Sequence, residues 1–136
     1  MATDETNYNN PYVRSPGLND VGSYRVSGKP YYTGSIVAEG SEVRFAFPSV
    51  TKQIMVQGAN VQMQPLSSSH PGYDNAHFHH FSINANTVYT FDMKCKEIFF
   101  KHNAPGQGAG NVEVYASLTG IDQAYMFELT GSGITT

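Results

Sequence analysis

EVRFAFPSVTKQIMVQGANVQMQ, residues 42–64, runs through three short alternations of apolar and polar side chains separated by turn formers. Val43, Phe45 and Phe47 alternate with Arg44 and Ala46. After FPS, Ile54 and Val56 share one parity while Gln53, Met55 and Gln57 share the other. After GAN, Val61 and Met63 alternate with Gln62 and Gln64. Successive side chains of a strand point to opposite faces of its sheet, so a period of two marks strands with one buried side. The same period continues downstream. Val88, Thr90 and Asp92 oppose Tyr89, Phe91, Met93 and Cys95; Val112, Val114, Ala116 and Leu118 oppose Glu113, Tyr115 and Ser117; Tyr125, Phe127 and Leu129 alternate with Met126 and Glu128. Turn signals such as SGKP, AEG, SSSHPGYDN, NAN and HNAPGQGAGN separate the runs. Helical periodicity is absent apart from one short turn in LTGIDQAYM. The expectation is an all-β, single-domain β-sandwich of eight or nine strands, jelly-roll-like, over residues 21–136.

Residues 1–20 lack this pattern. They are polar, contain Pro11 and Pro16, and read as an extended N-terminal arm held by a neighbouring subunit. They have no basic head and no apolar middle, so no secretion signal is expected. Tyr8, Tyr12, Tyr24, Tyr31 and Tyr32 crowd the first quarter of the chain. Tyrosine joins a broad apolar ring to a hydrogen-bonding tip, a combination interfaces favour. Tyr8, Tyr12 and Arg14 are therefore candidate arm contacts, with Tyr31 and Tyr32 next; Tyr24, Tyr31 and Tyr32 packing inward from ordinary strands is the alternative.

Only 14% of the 136 residues are charged, against roughly 25% in typical soluble domains. A surface so poor in charge suits one largely covered by partners. The net charge of −3 and eight unclustered Lys and Arg argue against nucleic acid as a partner. No apolar run approaches the roughly 20 residues that span a bilayer, so no membrane is expected. Cys95 is the single cysteine, which excludes an intrachain disulfide framework and points to folding in a cytoplasm.

DNAHFHHFSINA, residues 74–85, raises the question of a metal. If residues 77–83 form a strand, His77, His79, Phe81 and Ile83 share a face, and His77 and His79 become a candidate chelating pair. Cupins use such a His-x-His pair with a nearby Glu and a distant His, but Ser82, Ile83, Asn84 and Ala85 supply no carboxylate here. A zinc site needs three or four ligands in defined geometry. The expectation is no metal and no other cofactor, with the imidazoles stacked on aromatics or set at a subunit contact. Cys95 shares parity with Tyr89, Phe91 and Met93 and reads as a core thiol; flanking Lys94 and Lys96 would lower its pKa only if it were exposed. HNAPGQGAGN lacks the following helix of a phosphate cradle and reads as a hairpin loop. No nucleophile elbow or paired catalytic carboxylates stand out, and no enzyme is expected.

VGSYRVSGKPYYTGS, VRFAFPSVTKQIMVQ, FDMKCKEIFF, VEVYASLTGID and YMFELTGSGIT, taken in order, resemble the small virion structural proteins of tailed bacteriophages, in particular those of marine and cyanobacterial hosts. The resemblance covers residues 20–136. It implies a β-rich head decoration or cement protein, made in the host cytoplasm and located on the virion. Its partners would be the major capsid protein or other virion proteins and further copies of itself, a trimer among the possibilities. A stiff sandwich, a charge-poor contact surface and an arm suit the bridging of neighbouring capsid subunits. Two other readings stand beside it: a receptor- or carbohydrate-binding module on a head fibre or tail, and, last, a cupin-like metal-dependent enzyme.

Overall fold

A computed structural model describes residues 17–18 and 28–129. Tyr8, Tyr12, Arg14, Tyr24 and most of the expected arm lie outside the described residues, as does the tail from residue 130. Among the described residues there are eight strands: β1 (Lys29–Val37), β2 (Glu42–Ala46), β3 (Thr51–Ala59), β4 (Val61–Gln64), β5 (Phe81–Ile83), β6 (Tyr89–Phe91), β7 (Glu97–His102) and β8 (Gly110–Leu118). No α-helix occurs among the described residues.

Two antiparallel four-stranded sheets form, in the orders β1-β8-β3-β6 and β2-β7-β4-β5. The chain is an all-β sandwich. Its pairings are nested: β4 with β5, β3 with β6, β2 with β7 and β1 with β8. Consecutive strands therefore mostly lie in opposite sheets, and their connections are corners between layers. The tightest is Asn60, the single residue between β3 and β4, whose φ of 60° is a left-handed conformation that Asn tolerates better than most residues. Close contact between β3 and β8 requires Gly58, where a Cβ would stand 2.2 Å from the carbonyl oxygen of Asn111.

The period-two reading places the core correctly in β3, β4 and β8, and β1 and β7 add Val37, Ile98 and Phe100. Val37, Ile54, Val56, Val112, Val114 and Ala116 point inward from the first sheet, and Val61, Met63, Ile98 and Phe100 meet them from the second. Full burial of such side chains contributes roughly 1.5–3 kcal/mol each. A smaller cluster of Val50, Ile121 and Met126 closes one end, with Leu18 packed against it.

Three expectations are corrected. Residues 77–83 are not one strand: Asn75–His77 form a 3-10 turn, Phe78 is left-handed, and only Phe81–Ile83 pair. The Asp74 carboxylate accepts from Ala76 N–H, and His79 Nδ1 accepts from Asp74 N–H at 3.0 Å. These local bonds give the backbone an alternative to the ladder. Residues 125–129 are not a strand either. Asp122 caps a 3-10 turn over Gln123–Tyr125, after which Met126 is buried and Tyr125 and Phe127 are exposed. The glycine-rich segment 103–109 is not a hairpin loop, because β7 and β8 belong to different sheets; it arches from one layer to the other.

Phe100 is fully buried and its ring lies 5.6 Å from that of Phe45. Phe100→Ala is expected to cost about 3–5 kcal/mol, read as a lower urea midpoint with an unchanged slope.

Candidate interaction surface

The glycine-rich and the serine-rich loops are both filled by carboxylates of the chain itself. Gly106 and Gly108, each at positive φ, donate their N–H groups to Glu39 Oε1 and Oε2 at 3.2 and 3.1 Å. Convergent backbone N–H groups of this kind attract anions. His102 pins the same arch: its Nδ1 accepts from Ala104 N–H, and its Nε2 lies 2.6 Å from the Gly108 carbonyl. In the serine loop, Ser68 Oγ, Ser67 Oγ, Ser68 N–H and Gln64 Nε2 all donate to Glu42, the closest at 2.6 Å. Burial by itself raises the Glu42 pKa, but these bonds more than offset it and hold the carboxyl below its ordinary value. Tyr73 closes the knot against Gln62 and Gln64; burial and then the Glu42 charge push its hydroxyl pKa up. The loop lies across the outside of the second sheet and leaves Gln64 fully buried.

The strand that made His77 and His79 a candidate pair is absent. Asn75–His77 form a 3-10 turn, and His79 Nδ1 accepts from Asp74 N–H. Among the described residues, no three His, Cys, Asp or Glu side chains converge as metal ligands. His79 stacks edge-on with Tyr73, their ring centres 6.0 Å apart, while His80 lies near Phe78. Cys95 is the inward-facing thiol its parity suggested. Burial pushes its pKa up to about 11, aided by the Glu97 charge and only partly countered by the hydrogen bond with Thr51.

Beside these residues is an apolar groove of about 420 Å³, walled by Met63, Phe78, Phe81, Met93, Phe127 and Leu129. Phe78 is 76% exposed and sits at φ 56°, an unusual conformation for so bulky a residue, with a cost on the order of 1–3 kcal/mol. His80 contributes a buried Nδ1 with no hydrogen-bond partner. Phe78, Phe81 and Phe127 were not legible as site residues, because no local pattern tells that segments 78–81 and 127–129 meet.

The outward face of the first sheet is the larger surface. Cross-strand register aligns Tyr32, Tyr115, Met55 and Thr90 in one row across all four strands. The Tyr32 and Tyr115 rings lie 4.8 Å apart, and Tyr32 is 77% exposed. Val88 joins them around a shallow groove of about 780 Å³. The carboxylates on this face are engaged: Gln57 Nε2 donates to Glu113, and Gln53 Nε2 donates to Asp92 at 2.9 Å. The second sheet's outside instead carries the Arg44–Glu97 ion pair and is overlaid by the serine loop. Tyr31 and Tyr32 point opposite ways. Tyr31 packs edge-on against Phe47 at 5.7 Å, so of the two candidate tyrosines Tyr32 is the exposed one.

Because the Glu42 pKa is depressed in the folded state, its contribution is present above the unfolded carboxylate value and lost as pH falls through the folded one. Glu42→Gln is expected to lower stability by about 1 kcal/mol at pH 7, a figure kept small by solvent screening. The gap to the wild type should close on acidification below the ordinary carboxylate range, as followed by urea unfolding across pH. Compared with family models, curated proteins and solved structures, the chain matches none.

Proposed function

We propose that the chain is a virion structural protein of a tailed bacteriophage, a capsid decoration or cement protein that braces neighbouring capsid subunits without catalysing a reaction. The observation that carries this reading is the Tyr32–Tyr115–Met55–Thr90 row, an uncharged and largely aromatic strip on a rigid four-stranded sheet. Aromatic rings and methionine dominate protein contact centres, whereas free charges are depleted there. A stable contact buries about 800 Å² on each partner, a patch a sheet of this size can supply. The phrase-level resemblance to phage virion proteins supplies the partner: the major capsid protein, with further copies of this chain around a symmetry axis. Repetition over a lattice turns modest contacts into high avidity. We infer too that the sandwich is a jelly roll, since nested pairing of eight strands between two sheets suits two interlocked Greek keys, an architecture of viral capsid and lectin domains.

One observation favours a second reading. The aromatic row is flanked by the Gln57–Glu113 and Gln53–Asp92 pairs, amides and carboxylates beside flat rings, an arrangement suited to stacking and hydrogen-bonding a sugar. On this reading the same face binds a host glycan from a head fibre or tail.

Tyr32→Arg combined with Met55→Glu should leave the melting temperature within a few degrees of wild type, since both side chains are exposed. Occupancy of undecorated phage heads, measured by co-sedimentation, should fall at least about ten-fold, the size of effect lost hot-spot contacts produce. Full occupancy by this variant would rule the face out as the capsid contact. Binding of the wild type to a glycan array, lost in the variant, would favour the second reading.

A further inference from the structure

The edges of the two sheets are β1 and β6, and β2 and β5. β5 and β6 have three residues each, and β2 has five, among them Glu42 and Arg44. Shortness and charge are common protections of an edge against pairing with another chain. β1 has neither. It runs for nine residues, carries no charge from Pro30 to Val37, and among the described residues pairs only with β8. Tyr32 and Ile36 stand out from it, Ile36 67% exposed.

The residues of β1 fix which backbone groups this edge presents. In an antiparallel pair, alternate residues turn both N–H and C=O toward the partner, and those between turn both away. Pro30 has no N–H to give β8, so it belongs to the outward set, and Tyr32, Gly34 and Ile36 belong with it. Gly34 agrees: a Cβ there would lie 3.5 Å from Glu113 Cα, the close approach of a pair that exchanges no hydrogen bonds. The outward set is self-complementary about Thr33. Laid antiparallel on a second β1 with Thr33 facing Thr33, Tyr32 meets Gly34 of the other copy and Ile36 meets its Pro30. Every outward N–H then finds a carbonyl. The Ile36 carbonyl alone faces no donor, because it lies opposite Pro30, and Ser35 Oγ already donates to it at 3.0 Å. Centred on Gly34 instead, the Pro30 carbonyl would go unpaired and that of Ile36 would take two donors. Centred on Tyr32, the Gly34 carbonyl would face Pro30 and lack a donor. The side chains fit the same register. Each Tyr32 ring covers the Gly34 of the other copy, where no Cβ obstructs it, and reaches Ile36 diagonally; aromatic cover of an edge glycine stabilises sheets. We propose that β1 is a dimer seam: two copies pair β1 to β1 about a two-fold axis at Thr33 and merge their first sheets into one. The proposal goes beyond the capsid reading and does not depend on it.

The test uses the full chain in solution and leaves Tyr32, the proposed capsid contact, untouched. Wild type should sediment as a monomer–dimer equilibrium. Ile36→Pro removes an outward N–H from each copy and none of the bonds to β8, so the dimer dissociation constant should rise about ten-fold. Thr33→Cys sets two thiols across the axis, where the Cα atoms of such a pair lie about 4.5 Å apart, within disulfide range. Mild oxidation should trap it as a covalent dimer. Ile36→Cys is the control: its thiol is well exposed, yet in this register the two copies' residues 36 stand about 20 Å apart. Native Cys95 is buried and stays out of the reaction. A wild type that sediments as a monomer alone or as a trimer overturns the proposal. So does a dimer that Ile36→Pro leaves equally tight, or one in which Ile36→Cys cross-links as readily as Thr33→Cys. Thr33 is partly buried, so circular dichroism first checks the fold of its variant; should that fail, wild-type sedimentation and Ile36→Pro decide alone.

Discussion

The ladder that joins β1 to β8, and β8 in turn to β3, is the interaction on which the architecture depends. Residues 29–37 pair with residues 110–118 along nine positions, and the other side of β8 takes residues 51–59. Without β8 the first sheet would separate into an isolated β1 and a β3–β6 pair, and the inward valines at 112 and 114 would leave the core with it. Pairing this far apart in sequence carries a large loop-closure cost before any contact rewards it. The core meets that cost through the packed inner faces of the two sheets, with Phe100, Ile98 and Val61 opposite Ile54, Val56 and Val114.

The corner between β1 and β2 has a second task. Glu39 and Glu42, three residues apart, reach out to the two long connections of the molecule and tie them down: the glycine arch through Gly106 and Gly108, the serine loop through Ser67 and Ser68. Backbone and hydroxyl donors that could receive a phosphate or another anion instead receive carboxylates from within the chain. The loops serve as braces that stiffen one end of the sandwich and cover the outside of the second sheet. The first sheet's outer face then offers the broad charge-poor surface, and the proposed function rests on that asymmetry between the two faces.

Within the long strands, side-chain parity was legible because a one-residue slip would exchange the buried and exposed sets wholesale. Val43 and Phe45, Ile54 and Val56, and Val112 and Val114 all face where their alternation places them. It failed where short side chains bonded their own backbone. Asp74 and Asp122 each capture an N–H two residues on, and both convert an alternating run into a 3-10 turn. The strand premise behind the candidate pair His77 and His79 failed for that reason, since residues 75–77 form a turn.

Legible in the residues alone were the class of fold, the inward sets of β2, β3, β4 and β8 and the buried nature of Cys95, because these follow from local periodicity and from the transfer of apolar side chains out of water. Contacts between distant segments set which strands share a sheet, that the glycine segment is an arch instead of a hairpin, that Glu39 and Glu42 fill the loops, and that Tyr32 meets Tyr115 and Met55 while Tyr31 turns to Phe47. The physical reason is the range of the interactions. Alternation is set by neighbours one and two residues away, whereas register, sheet membership and the meeting of Phe78 with Phe127 are set by pairings between distant segments, and no single segment contains the information that selects its partner.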